Sequence, residues 1–445
     1  MKTLLITTLL AAVGPVLCAD VGPGRDVIFA ASADTVACHD FIEVTVRVDT
    51  PPRADPDSDP GLEGTFGIAG QPPLTVKGFR DAEDGSVFRI RFMPSSPGNY
   101  DYVVRWHAGD VVRTGPGSFT AVEDRRKGVL RVDPAHPAHL LWDASQERFY
   151  WSGLEATGLV GLDRDTLAAS LDLLDRCRVT ALRVALADRC DSTFWTHAEQ
   201  LLTFARVRNM AVAVVLPADP TDPEVRHTIR TAIVRLAAFS NVVWEWSEPD
   251  PELQPMLGAD PYRHVVWTRQ PSLSLATEAS RLPAGSTPMR VAWERAIRGG
   301  YSTLHASSGM SPDAHEALAR ELEPIGHLYD FFTGFPWWEL QTDSTLIAAL
   351  HPFSSQASVP QAFAARNADG DLAAVYVAGG GIVTVRDEML RDQLKPVWFS
   401  PRDGGIRNAR ALRARVYRTP TAEDWVLLFR TPCNCSFRDF DNEFE

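Results

Sequence analysis

Ala181-Leu182-Arg183-Val184-Ala185-Leu186-Ala187, Ala211-Val212-Ala213-Val214-Val215-Leu216 and Val242-Val243-Trp244-Glu245-Trp246 are short, almost wholly apolar runs. Between them lie Thr193 to Asn209 and Pro223 to Phe239, whose apolar residues recur at helical spacing. A strand without a polar face has to be buried on both sides. In a chain that alternates strand and helix, that means parallel strands covered by helices.

The same rhythm extends outward in both directions. Upstream, Phe149-Tyr150-Trp151 reads as a strand and Asp163 to Arg178 as a helix. Downstream come strands at His264 to Thr268, Leu273 to Glu278 and Tyr301 to Ser307, with helices at Met289 to Arg298 and Pro312 to about Phe332. Seven strands in one such run favour a (β/α)8-type TIM barrel over a doubly wound sheet. Arg263 to Leu275 is too short for a full strand–helix–strand unit, so the barrel is expected to be trimmed there.

The flanks have a different period. Phe41 to Val48, Phe88 to Phe92 and Tyr100 to Trp106 alternate at period two, and turn residues separate them at Asp81 to Gly85 and Pro94 to Asn99. That pattern predicts an immunoglobulin-like β-sandwich. After Pro336-Trp337-Trp338, strands return at Ala373 to Val377, Gly381 to Val385, Pro396 to Phe399 and Trp425 to Phe429. The fold expected is a multidomain α/β protein in four parts. These are a signal segment at 1–19, a β-sandwich at 20–125, a barrel at 126–338 and a small β-domain at 339–445.

Composition narrows the function. The 445 residues include 44 Lys and Arg against 57 Asp and Glu, a net charge of −13. Such a surface repels phosphate backbones and anionic lipid, so nucleic acid is not an expected partner. Lys2, the apolar stretch Leu4 to Leu17 and the small residues Cys18-Ala19 read as a cleavable export signal, which places the protein as secreted or periplasmic. No later run is apolar enough to span a membrane. Removing the signal leaves Cys38, Cys177, Cys190, Cys433 and Cys435, an odd number that argues against an obligatory disulfide framework. Cys433-x-Cys435 lacks zinc spacing, and neither a phosphate-binding Gly-rich loop nor a Gly-x-Ser-x-Gly elbow is present. Neither cofactor nor metal is expected. The oligomeric state is left open.

Gly78-Phe79-Arg80-Asp81, Phe88 to Pro94 and Pro97 to Tyr102 resemble the β-sandwich module found before bacterial glycosidase barrels. Asn241 to Trp246, Asp260-Pro261-Tyr262-Arg263-His264 and the Pro336-Trp337-Trp338 exit resemble the apiosidase-like glycoside hydrolases. Val397 to Gly404 is similar to the Trp-Phe-Asp-Pro-Arg-Thr-Gly turn of the domain those proteins carry next, one named for collagen binding. The resemblance implies a glycosidase acting on a plant or algal polysaccharide or oligosaccharide, with an acid/base carboxylate after the Trp-bearing fourth strand and a nucleophile ending a late strand. Counting from Trp244 puts Pro249 in the acid/base slot, one deletion makes it Glu248, and one insertion makes it Asp250. Glu278, ending Ser274 to Glu278, fits the nucleophile. A substrate-touching Asp of the family's first strand falls on Leu154.

Hydrolysis of a glycosidic bond needs two carboxyls, about 5–5.5 Å apart for retention and roughly 6.5–9.5 Å apart for inversion. Glu248 and Glu278 meet that need topologically, because the C-terminal ends of barrel strands converge on one face. Arg183 interrupts an apolar strand. It is expected either to hold Glu278 ionised or to pair with Glu155 or Glu245. Glu245, between two Trp, reads best as a member of a buried ion pair. His305 is a candidate for bonding a sugar hydroxyl or a satisfied core histidine, and Asp188, Asp191 and Asp250 are placed near the same face. Trp195, Trp246, Trp267 and Trp337 are candidates for stacking on sugar rings, with core packing as the alternative. A catalytically inactive barrel that binds glycan, or serves as a structural surface protein, is the competing expectation.

Overall fold

The computed structural model describes residues 27–49, 61–246, 251, 253–268, 287–306, 310–354, 360–392 and 394–430. The signal segment, the Cys433-x-Cys435 pair and the candidates Glu248, Asp250 and Glu278 lie outside these.

The alternating N-terminal strands form a four-stranded and a five-stranded sheet packed face to face. Their inward residues interdigitate as period two requires, with Phe66 of one sheet stacked on Phe92 of the other at 4.4 Å between centroids. C-terminal to residue 340, a six-stranded and a four-stranded sheet enclose a second β core around Val375, Trp398, Trp425 and Phe429.

Between them lies the parallel sheet. Its strands in chain order are Ser152–Glu155, Ala181–Ala185, Ala211–Val215, Val242–Trp246, Val266–Thr268 and Ser302–Leu304. The first five are neighbours in sequence order, and the sixth pairs with the first: Ser152 with Ser302, Gly153 with Thr303, Leu154 with Leu304. A sheet wound in chain order whose last strand returns to its first is half of a barrel wall. The strand expected at Leu273 to Glu278 lies outside the described residues.

The helices begin where their caps dictate. Asp163 accepts from the backbone N–H groups of Asp165 and Thr166 to start Arg164–Arg176, Asp191 caps Ser192–Val207, and Asp222 with Pro223 opens Pro223–Leu236. Strand parity then sorts the sheet into two faces. Leu154, Leu182, Val184, Val212, Val214, Val242, Trp244 and Trp246 pack with the helices. Ala181, Ala211, Ala213 and Val243 point to the opposite, inner face, where Trp142, Trp151 and Trp267 fill the interior.

Two local expectations need correction. Phe149-Tyr150-Trp151 is not the first parallel strand. Arg148–Phe149 instead joins Leu130–Val132 and Leu140–Trp142 in a three-stranded antiparallel sheet, and the first parallel strand starts at Ser152. That small sheet contributes Leu130, Leu140, Trp142 and Phe149 to the same cluster as Ala181 and Ala211, and so plugs the N-terminal end of the interior. The fifth strand is also shorter than expected, Val266–Thr268, because His264 is held by Asp260 rather than by a strand neighbour.

Candidate active site

Period-two geometry puts one side chain of each strand's C-terminal half on the inner face. In the first strand it is Glu155, in the second Arg183, in the fourth Glu245 and in the fifth Trp267, which is in register with Glu245. Three charged residues thereby converge above an apolar floor. Arg183 donates from Nε to both Glu245 oxygens at 3.0 and 2.9 Å, from Nη2 to Glu245 Oε1 at 2.9 Å, and from Nη1 to Glu155. Burial opposes the guanidinium charge, but the bonds and charges of Glu245 and Glu155 outweigh it and raise the Arg183 pKa above its ordinary value. The Arg183 side chain is 17% exposed and that of Glu155 15%, against 6% for Glu245. Glu155 and Arg183 therefore reach the solvent side of the cluster, and Glu245 anchors it from below.

The floor is set by the first strand. Trp151 lies 4.2 Å from Trp267 between ring centroids and donates from Nε1 to Thr303 Oγ1 at 3.1 Å. A Cβ on Gly153 would sit 2.5 Å from both of those polar atoms, so only glycine fits beneath the cluster. His305 follows the last strand with the parity of Thr303, and it is exposed. The core-histidine alternative is thereby removed, and an imidazole stands free at the mouth.

The other candidates divide sharply. Trp195 and Trp246 are buried among the residues that join helices to sheet, and Trp337 is buried against Tyr150 and Trp338. Rings this enclosed present no face to a ligand, which corrects their reading as sugar platforms. Parity explains Trp246: flanking an inward Glu245, it has to face the helices. Trp267 alone of the four lines the interior. Asp191 is spent on its helix cap, accepting from Phe194 N–H at 2.7 Å. Leu154 faces the helices and is fully buried, so the Asp expected there has no counterpart at that position. Its neighbour Glu155 supplies the first-strand carboxylate instead. The expected approach of Arg183 to Glu278 involves a residue outside the described set, and the partners seen are the two alternatives, Glu155 and Glu245 together.

Asp260, quoted above only as part of a motif, organises the crossover from fourth to fifth strand. It accepts from Trp244 Nε1 at 3.0 Å, from Tyr262 N–H at 2.9 Å, and from both His264 N–H and Nδ1 at 2.9 Å. Burial would raise its pKa, but His264 and the other donors pull it down to about 2. Tyr262 then presents its hydroxyl to Met93 N–H of the sandwich at 2.7 Å, so this motif is a structural joint. Among the described residues no group of three or more His, Cys, Asp or Glu is placed to hold a metal ion, and no helix is long and apolar enough to cross a membrane.

Family models match two stretches of the chain. Residues 35–107 match a "domain of unknown function (DUF5060)", and residues 346–430 match the "putative collagen-binding domain of a collagenase". No curated protein matches. Among solved structures, "a putative glycoside hydrolase" from Bacteroides vulgatus ATCC 8482 superposes with a TM-score of 0.63 at 18% identity, covering 89% of this chain and 100% of that one. A second, described as "glycoside hydrolase", gives 0.54 at 14% identity over 68% of this chain and 97% of the other. A glycoside hydrolase family 5 structure from Bacteroides vulgatus ATCC 8482 gives 0.52 at 13% identity, over 68% and 94%. Identities this low speak to fold alone: the chain is a multidomain α/β protein that shares its architecture with solved glycoside hydrolases and carries a collagen-binding-type domain over residues 346–430.

Proposed function

We propose that the protein is an exported, apiosidase-like glycoside hydrolase acting on a plant or algal polysaccharide by a two-carboxylate mechanism. The observation that carries this reading is the convergence of Glu155, Arg183 and Glu245 on the C-terminal half of a parallel sheet whose last strand, followed by the exposed His305, pairs with its first. On this reading the fold is a TIM barrel. The domain limits are 20–125, 126–338 and 339–445. Glu248 protonates the leaving oxygen, with Asp250 near it, and Glu278 attacks or activates water. Arg183, held by two carboxylates, keeps a fixed charge at the floor of the site, and Trp267 offers an apolar surface beside it.

A second reading has its own support. Arg183 is already engaged by Glu155 and Glu245 on three of its donor atoms, which leaves it little to offer a nucleophile. A barrel that binds glycan without cutting it would need nothing more. One experiment separates the two: reducing-sugar release from a panel of plant and algal polysaccharides by the wild type and by Glu248→Gln and Glu278→Gln. An enzyme loses turnover of natural glycosides in both variants, and Glu248→Gln retains more activity on aryl glycosides with good leaving groups, since these need little protonation. Wild-type protein that binds members of the panel by calorimetry and releases no product from any of them establishes the inactive barrel.

A further inference from the structure

Residues 404–422 contain Arg407, Arg410, Arg413, Arg415 and Arg418 and neither Asp nor Glu, in a protein whose net charge is −13. The segment builds the strands Ile406–Asn408, Ala411–Arg413 and Val416–Arg418. The first of these is the outermost strand of the six-stranded C-terminal sheet and the second the outermost strand of the four-stranded one. Two sheet edges thus follow each other in the chain, and both carry positive charge. Arg407, Arg410, Arg413 and Arg418 are exposed, as is Leu412 at 62%.

Some of these charges are positioned by the domain itself. The Arg407 guanidinium lies 5.1 Å from the centroid of the buried Trp425 ring, and that of Arg418 lies 4.4 Å from Phe353. Among the described residues, the side chains of Arg410 and Arg413 make no hydrogen bond, ion pair or ring contact. Charges of either sign discourage edge-to-edge aggregation, so protection alone does not account for five of one sign on the most basic stretch of an acidic protein.

We propose that this arginine ribbon binds a carboxylated polysaccharide, holding an anionic polymer beside the barrel. Guanidinium groups take carboxylates by paired, charge-assisted bonds. The charges are strung from Arg407 to Arg418 rather than gathered in a pocket, which suits a chain with a repeated anion rather than one small ligand. Nucleic acid fits less well. Its charge, one per about 1.7 Å of duplex, is repelled most by the rest of an acidic molecule, and of the aromatic rings nearby Tyr417, Trp425 and Phe429 are buried while the half-buried Phe353 already carries the Arg418 guanidinium, so the segment offers no row of stacking faces. The polymer class rests on the glycan reading proposed above, while the ribbon itself is independent of the barrel's chemistry.

The test is affinity electrophoresis of the full chain through gels containing polygalacturonate, a neutral galactan, dextran sulfate or single-stranded DNA, with hydrolysis of the same sugars measured in parallel. Retardation by polygalacturonate, absent in the galactan gel, weakened by salt and about tenfold weaker in the Arg410→Ala/Arg413→Ala variant, is the expected result. Both side chains are exposed and unpartnered, so the variant should melt like the wild type. Equal retardation of wild type and variant overturns the proposal, as does stronger retention by dextran sulfate or DNA, or none by polygalacturonate at low salt. Retardation without hydrolysis of any sugar defeats the enzyme reading and leaves the ribbon standing. Hydrolysis without retardation does the reverse.

Discussion

The parallel sheet is gripped from two sides by different chemistry. On the N-terminal side the sandwich meets the helices through buried charge. Arg91, 4% exposed, donates to Glu43, to both oxygens of Glu199 and to the Arg235 carbonyl, while Phe41, Phe79 and Phe239 lie 5.0–5.6 Å from its guanidinium. Arg235 in turn pairs with Glu199 and Asp81. On the C-terminal side the six-stranded sheet meets the helices Pro288–Ile297 and His315–Thr333 through aromatic rings. Trp293 sits 5.3–6.0 Å from Phe331, Phe332, Tyr376 and Phe399, with Arg290 and Asp424 paired at the rim. A buried ion network loses much when one partner goes and gains little as a whole, whereas an aromatic cluster stabilises in proportion to the area it hides. The first joint specifies how the sandwich seats, and the second supplies adhesion.

Removing the centre of the aromatic joint should have the largest effect. Trp293→Ala empties the space between two helices and a sheet, and a loss of about 3–5 kcal/mol is expected. Chemical denaturation should then show the C-terminal sheets melting ahead of the sandwich. A single unchanged transition would mean that the aromatic joint is not what couples them.

Glu199→Ala should come next. It leaves the Arg91 and Arg235 guanidiniums buried with fewer partners, and uncompensated buried charge costs about 3 kcal/mol or more. Hydrogen exchange should rise in Val87–Phe92 and stay level in Leu372–Ala378. Equal change in both strands would erase the distinction between the two joints.

Asp260→Asn probes the crossover that presents Tyr262 to the sandwich. With a folded pKa of about 2 against an ordinary value near 3.8, the carboxylate contributes about 2 kcal/mol. Because the folded value is the lower one, that stabilisation is present above pH 3.8 and disappears as pH falls through 2. The wild type should lose stability relative to Asp260→Asn over that window in urea titrations, and parallel curves would refute the assignment.

How much of this was legible in the sequence depends on the range of the interaction. The parallel strands and their helices were visible because period and cap signals are local. Asp163, Asp191 and Asp222 stand where helices start, and the apolar runs are the strands. The choice between the two readings of Trp246 was also contained in the period, since in Trp244-Glu245-Trp246 only one parity can face inward and the charge sits on it. Glu155 was likewise available from Ser152-Gly153-Leu154-Glu155. The three-stranded plug around Leu130, Leu140 and Phe149 was not legible, because strands of two or three residues carry no period. Neither was the ionic joint, in which Glu43, Asp81 and Arg91 meet Glu199 and Arg235 from the other side of a domain boundary, since no rule of spacing reaches that far.

The smallest expected effect separates the joints by acidity. Asp81 is partly buried, and although burial alone would raise its pKa, the guanidiniums of Arg89 and Arg235 bring it below the ordinary carboxylate value. Its contribution is therefore full above pH 3.8 and falls away as the solution is acidified through the lower folded value. At the aromatic joint Tyr376 is shifted the other way. Burial and the negative charge of Asp424 raise its pKa, so its contribution is complete below pH 10 and lost only in alkali. Between pH 4 and 2 the sandwich joint should loosen through Asp81, while the neutral Tyr376, shifted toward alkali, keeps its proton. Asp81→Asn, expected to cost about 1 kcal/mol at neutral pH because the side chain is part-exposed, should flatten that acid response at the sandwich. Limited proteolysis with an acid-active protease would read it. Cleavage appearing first in the sandwich, and no earlier in Asp81→Asn than in the wild type, supports the assignment, while first cleavage among the C-terminal strands places the acid-sensitive joint on the other side of the molecule.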